Sequence, residues 1–241
     1  MKIEGRNAVL EVLNTDKEVD KLYVQTGEKK GSITKIISIA KSKRIVIAEV
    51  SKQKLDEMSE SRNHQGVIAL ISEYNYCEVD EILSLAKQRN ETPLIMILDE
   101  LKDPYNFGAI IRSAAAAGVH GIIIPKRRSV MVTSAVAKVA VGALEHVKIS
   151  KVTNLSKTIG DLKAKGIWIA STDMKGASIY KTDFDLPLAI VIGSEESGVG
   201  SAIKKNSDFM LSIPMKNEIE SLNASVAASL IMYEVVRQRN V

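Results

Sequence analysis

Residues 94–125 read LIMILDELKDPYNFGAIIRSAAAAGVHGIIIP. Leu94 to Leu98 is a short, wholly apolar run, which predicts a strand buried on both faces. A polar loop follows. Ala109 to Ala117 then reads as a helix of small residues stopped by Gly118. Gly121 to Ile124 is a second buried strand, stopped by Pro125. Strands without polar alternation, joined by a helix, predict a parallel sheet covered on both sides.

The same alternation continues downstream. Residues 133–146 and 155–165 read as helices, the second stopped by Gly166. Strands are predicted at Ile167–Ala170, Leu188–Ile192 and 209–213, the last ended by Pro214, and a long helix over Leu222–Arg239. Upstream, a smaller unit reads as α-β-α-β-α-β. A helix over 4–14 precedes a strand at Leu22–Val24. Ser32 is the expected cap of a helix over 33–42, and a strand covers Arg44–Val50. Ser51 is the expected cap of a helix over 52–60, and a last strand covers Gly66–Ser72. The fold class is therefore α/β in both parts, with a small domain at 1–74, a linker at 75–91 and a larger domain at 92–241. Within the linker, Asp80 is the expected cap of a helix that carries Ile82, Leu83, Leu85 and Ala86 and is ended by Asn90 and Pro93. No period of 20–50 residues recurs, which excludes repeat architectures.

Composition narrows the function less. Hydrophobic residues make up 45% of the 241 and charged residues 26%, as in an ordinary globular protein. No apolar run approaches a membrane span and no apolar leader opens the chain, so the expected location is the cytoplasm, away from membranes. The single Cys77 and three scattered histidines predict neither a disulfide nor a metal site. The net charge of +4 permits nucleic-acid binding without requiring it. Residues 1–75 carry 13 basic and 11 acidic side chains and the remainder 20 and 18, so local clusters matter more: Lys41, Lys43 and Arg44, and Lys126, Arg127 and Arg128. Each cluster also reads as a solvated surface. Aromatics at 4% argue against extensive base stacking.

Ligands of parallel sheets bind outside the carboxyl ends of the strands. That singles out residues 99–108, 193–200 and 214–223. In the first, Asn106 is placed to cap the following helix and Arg112 lies one to two turns in, which reads either as a plain helix start or as an anion site. The second, Gly193-Ser194-Glu195-Glu196-Ser197-Gly198-Val199-Gly200, is neither a phosphate-binding P-loop nor a dinucleotide fingerprint. Its acidic pair reads as a solvated turn, or as carboxylates that orient a side chain or meet hydroxyl donors. In the third, Ser221 and Asn223 read as caps of the last helix or as pocket residues.

Taken together, three stretches are specific. LDELKDPYNFGAIIRSAAAAGVHGIIIP, IVIGSEESGVG and LSIPMKNEIESLNASVAASLIMYEVVRQR resemble, in order and spacing, the motifs of the SpoU (TrmH-like) branch of the SPOUT RNA methyltransferases. EGRNAVLEVL and NHQGVIAL resemble the ends of the L30e-like substrate-binding domain that many members carry. The full pattern, including GALEHVKISKVTNL and GIWIASTDM, looks most like the guanosine 2′-O-methyltransferases of bacterial large-subunit ribosomal RNA.

The resemblance implies a deep trefoil knot in the second domain. It implies S-adenosyl-L-methionine as cofactor, held by Gly193, Ile213 and Leu222, and a homodimer whose partner completes each site. The last helix, with Leu222, Val226, Leu230 and Tyr233 at helical spacing, reads as its interface or as plain core. Asn106, Arg112, Glu195, Ser221 and Asn223 match the active-site positions. Arg112 is expected to contact the target ribose or its phosphate, oriented by Asn106 and Glu195, with Ser221 and Asn223 bounding the pocket. A guanidinium holds its proton too tightly to be a good base, so Arg112 is expected to position the hydroxyl and lower its pKa while phosphate or water takes the proton. The expected substrate is structured RNA, since only RNA carries 2′-hydroxyls. Transfer RNA, antibiotic-resistance methylation of ribosomal RNA and a non-catalytic RNA binder are the alternatives.

Overall fold

The computed structural model describes residues 2–15, 17, 19–27, 31–71, 74–217 and 221–239. They form two compact units that divide between Asn75 and Tyr76.

In the first unit, β1 (Lys2–Glu4), β2 (Val19–Gln25), β3 (Val46–Val50) and β4 (Val67–Ile71) form a sheet of order β1-β4-β2-β3. The helices are α1 (Arg6–Leu13), α2 (Ser32–Ser42) and α3 (Lys52–Met58). Val9 and Leu13 of α1 and Ile33, Ile36 and Ala40 of α2 pack on Leu22, Val24, Val67 and Ala69. The predicted helix over 4–14 starts later than expected, because Lys2 to Glu4 pair antiparallel with β4 and Gly5 turns the chain at a φ of 88°. Gly31, not Ser32, precedes α2, whereas Ser51 caps α3 as expected by accepting from the Lys54 amide at 3.2 Å. Ser72, the expected end of the last strand, lies outside the described residues.

Glu4 anchors this corner. Burial would raise its pKa, but the hydroxyls of Ser59 and Ser61 and the amides of Glu60 and Ser61 donate to its carboxylate and hold it at about 2. His64 is 5% exposed and closes the next turn. Its Nδ1 accepts from the Gly66 amide at 2.9 Å, which leaves the proton on Nε2 to donate to Asp56, also at 2.9 Å. Of the two readings of Asn63-His64-Gln65-Gly66, loop closure is the one these bonds support.

In the second unit β5 (Leu94–Leu98), β6 (Gly121–Pro125), β7 (Lys148–Val152), β8 (Trp168–Ser178), β9 (Leu188–Ile192) and β10 (Phe209–Ser212) form one sheet of order β10-β8-β9-β5-β6-β7. Every pairing in it is parallel. The helices are α4 (Val79–Arg89), α5 (Pro104–Ala116), α6 (Ser134–Ala140), α7 (Leu155–Ala164), α8 (Ser201–Asn206) and α9 (Ala224–Arg239). Ile95 and Ile97 turn to one face, in a core with Ile82 of α4, Ile159 and Leu162 of α7, and Ile203 of α8. Strand alternation sends Met96 to the other face. Met96 is fully buried, as are Phe107 and Ile110 of α5 and Ile231 and Met232 of α9.

The segment 75–91 carries the expected helix, α4, ended by Asn90 as expected but preceded by Glu78 where Asp80 is the expected cap. It buries Ile82 and Ala86, and Ile82 lies so close to Gly121 that any Cβ there would meet its Cδ1 at 2.5 Å. Two further expectations shift. The helix expected over 133–146 breaks after Ala140, where Val141 and Gly142 both take positive φ. The strand expected at Ile167–Ala170 runs on to Ser178 because its polar half pairs with β10. Among the described residues no helix is long and apolar enough to cross a membrane, and no three His, Cys, Asp or Glu are grouped to hold a metal.

From β5 the chain steps to β6 and β7, then returns to the far side of β9. The loops after β5 and β9 thus leave neighbouring strands at the point where the strand order reverses. Such a crevice is where α/β sheets hold ligands.

Candidate active site

The loop after β5 ends in a helix start built differently from the sequence expectation. Asp103, not Asn106, caps α5: its carboxylate accepts from the amides of Tyr105 at 3.3 Å and Asn106 at 3.0 Å. Pro104 takes the first helical position, where its missing N–H costs nothing. This leaves the Asn106 side chain free. Its Nδ2 donates to Glu195 Oε1, and its Oδ1 accepts from Asn223 Nδ2 at 2.9 Å. Asn223 plays two parts. Its Oδ1 accepts from the amides of Ser225 and Val226 and so caps α9, while its amide joins the cluster with Asn106 and Glu195. For Asn223 the cap reading and the site reading hold together.

The loop after β9 is held by a close backbone approach. A Cβ at Gly193 would lie 2.0 Å from the Gly198 carbonyl carbon and 2.2 Å from the Val199 nitrogen, so only glycine fits. The Gly198 amide donates to the Ser194 carbonyl at 2.9 Å, closing the turn. Asp99, at the end of β5, buttresses it by accepting from the Gly200 amide at 2.8 Å. Burial pushes the Asp99 carboxyl upward and Glu100 adds to this, while the Gly200 bond opposes both.

Beside this loop lies a cavity of about 610 Å³, within the range of small-molecule sites. Gly193, Glu195, Ile213, Ser221 and Leu222 line it. Thr172, Asp173 and Lys204 line it as well and were not among the sequence candidates. They come from the polar half of β8 and from α8, an extension with no apolar periodicity to mark it. Lys204 donates to Asp173 at 2.5 Å; that bond and the Lys175 amide hold the Asp173 carboxyl below its usual range.

Arg112 stands apart. It is exposed, with no hydrogen bond or ion pair among the described residues. The orientation by Asn106 and Glu195 expected from the sequence is not formed, because those two residues engage each other and Asn223. Helical geometry gives the reason. Six residues beyond Asn106, Arg112 is rotated about 120° round the helix and displaced about 9 Å along it.

Comparison with known proteins agrees with this architecture. Residues 93–233 match the SpoU rRNA methylase family, and residues 2–77 match the RNA 2′-O ribose methyltransferase substrate-binding family. A TrmH family tRNA/rRNA methyltransferase of Bacillus subtilis (strain 168) is 46% identical over 237 residues, covering 98% of this chain and 95% of that protein. One from Staphylococcus aureus (strain MSSA476) is 47% identical over 239 residues, covering 99% and 96%. Among solved structures, the SpoU methyltransferase AviRb of Streptomyces viridochromogenes, in complex with AdoMet, superposes with a TM-score of 0.63 over 100% of this chain and 90% of that one, at 24% identity. The TrmH/SpoU tRNA modifying enzyme of A. aeolicus superposes with a TM-score of 0.57 over 67% and 83%, at 28% identity. This chain belongs to the SpoU/TrmH family of RNA methyltransferases.

Proposed function

We propose that this chain binds S-adenosyl-L-methionine in the 610 Å³ cavity and methylates a ribose 2′-hydroxyl, that of a guanosine in large-subunit ribosomal RNA. The observation that carries the reading is the adjacency of two features. Glu195 lines the cavity, beside Gly193, and also belongs to the Asn106–Glu195–Asn223 cluster. The cavity fits the cofactor. Backbone groups of Gly193 and of the 213–215 segment, which line the cavity, can read an adenine edge, and Ile213 and Leu222 supply apolar surface. Bound there, the cofactor would supply a methyl group on a cationic sulfur, the electrophile for a ribose oxygen.

The residues of the chain then have alignment as their main task. Glu195, whose Oε1 accepts from the Asn106 and Asn223 amides, lines the cavity and keeps its Oε2 available to a ligand. Ser221 lines the same mouth. Arg112, exposed and without a partner among the described residues, is read as serving a second copy of the chain in a homodimer. The exposed stripe on α9 supports it further: Val226, Leu230 and Tyr233 are 46%, 39% and 51% exposed at spacings of four and three residues. In that assembly Arg112 contacts the ribose or its phosphate, and the proton leaves to phosphate or water. The first unit supplies RNA affinity.

Calorimetry with S-adenosyl-homocysteine separates this reading from a non-catalytic RNA binder. Saturable binding is expected, and its absence would favour the binder. Methyl transfer to transfer RNA alone would keep the chemistry and change the substrate, and altered drug susceptibility on expression would favour resistance methylation.

A further inference from the structure

The basic segment Lys126-Arg127-Arg128 follows β6 and has no part in the site described above. A run of surface cations is ordinarily just solvated, but this one is built. The loop it opens, 126–132, is tied down at three points. The Lys126 amide donates to the Val152 carbonyl at 2.8 Å, the Val130 amide to the Leu101 carbonyl at 2.7 Å, and the Val132 amide to the Tyr76 hydroxyl at 2.9 Å. Val130 and Val132 are buried beneath it. The tip is also strained: Arg128 holds a φ of 57° and Glu100, its ion-pair partner at 3.4 Å, a φ of 56°. Non-glycine residues rarely adopt this conformation, and such outliers gather at binding sites.

Position adds to construction. The loop lies at the carboxyl end of β6, next to β5 in the sheet. Its bond to Leu101 joins it to the segment 99–103 that leads to Asn106, and Lys102 of that segment pairs with Glu196 of the cavity loop at 3.3 Å. A continuous chain of contacts thus runs from the basic tip to the cavity mouth. The loop 126–132 contains no acidic residue, and neither the Lys126 ammonium nor the Arg127 guanidinium has a hydrogen-bond or ion-pair partner among the described residues. Where Arg128 is neutralised by Glu100, Lys126 and Arg127 remain available.

We propose that this pinned loop is a phosphodiester clamp, on which Lys126 and Arg127 grip the RNA backbone beside the target nucleotide. The inference rests on the reading of the chain as an enzyme acting on RNA. Cations on a rigid loop contact phosphates with little ordering cost, and they set register without reading sequence.

The test is RNA affinity against salt, measured with the full chain and an unmodified transcript of large-subunit ribosomal RNA. The variants are Lys126→Ala/Arg127→Ala and, as a control of equal charge loss per site on α7, Lys157→Ala. A phosphate contact contributes roughly one unit to the slope of log K against log salt, so the double variant should lose about one to two units and the control none. The KM for RNA should rise several-fold with kcat at saturating RNA unchanged. An unchanged salt slope in the double variant overturns the clamp, as does an equal loss in the control. Binding of S-adenosyl-homocysteine, measured in parallel, reports on the enzyme reading separately, since the slope does not depend on turnover.

Discussion

Asn223 Nδ2 donates to Asn106 Oδ1 at 2.9 Å, joining residues 117 positions apart at the carboxyl edge of the sheet. The bond fixes the Asn106 amide so that its Nδ2 faces Glu195. Through it, the entrance of α9 and the entrance of α5 share one carboxylate.

Removing that amide should impair chemistry more than cofactor binding. Asn106→Ala frees Glu195 from one of its two donors without touching the cavity wall. A loss of about 10²-fold or more in kcat is expected, in the range measured when one preorganised hydrogen-bonding group is deleted. S-adenosyl-homocysteine affinity by calorimetry should hardly move. An equal loss in both would place Asn106 in cofactor binding instead.

Gly193→Ala should close the cavity loop. The added methyl meets backbone atoms at 2.0 and 2.2 Å, and backbone cannot swing aside as a side chain can. Overpacking of this kind costs about 1–3 kcal/mol, and cofactor affinity should fall at least ~10-fold. Gly160→Ala in α7 makes the opposite prediction. Its Cβ meets nothing within 4 Å, so thermal melting should rise, by the equivalent of up to about 1 kcal/mol of helix propensity.

The exposed stripe of α9 predicts an oligomer that one charge would split. Leu230→Asp places a carboxylate among Val226 and Tyr233. Light scattering should give twice the chain mass for the native protein and the single chain mass for the variant. A native protein that scatters as one chain would remove the interface assigned to α9.

His120 makes stability depend on pH. It is 2% exposed; its Nδ1 accepts from the Leu94 amide at 3.1 Å, and Glu91 lies 3.0 Å from Nε2. Burial lowers its pKa, and this outweighs the opposing effect of Glu91. The folded state therefore resists protonation while the unfolded state takes a proton near the ordinary value of 6.5. The stability is present above that value and is lost as pH falls below it. Melting temperature should drop between about pH 7.5 and 5.5, and His120→Gln should flatten that part of the curve. An unchanged slope in the variant would assign the effect elsewhere.

Much of the fold is legible because the central strands are wholly apolar. Leu94–Leu98 and Leu188–Ile192 announce a sheet covered on both faces, and both are buried along their whole length. The edges are harder. β7 reads Lys-Ile-Ser-Lys-Val, and as the last strand of the sheet, paired with β6 and bridged on its outer side only at Cys77 among the described residues, it needs no continuous apolar run. β1 is three residues long and exists through its pairing with β4. The cap of α5 went to Asp103 because Pro104 fixes where the helix starts, which neither the apolar period nor Asn106 itself reveals. Each site loop can be found from the rule that ligands sit at strand carboxyl ends. Their meeting cannot, since it depends on β5 and β9 being neighbours although Leu98 and Leu188 lie 90 positions apart in the chain. The roles assigned to Arg112 and Ser221 come from family resemblance; no periodicity or spacing marks them.

The most direct test of the account is transfer of tritiated methyl from S-adenosyl-L-methionine to ribosomal RNA from cells lacking this gene, followed by alkaline hydrolysis and nuclease mapping. A methyl on the 2′-oxygen blocks alkaline cleavage of the next phosphodiester. The account predicts label in an alkali-resistant dinucleotide whose blocked residue is a guanosine of the large-subunit RNA. Label released as a methylated base, or no label in RNA that the protein binds together with its cofactor, would contradict it.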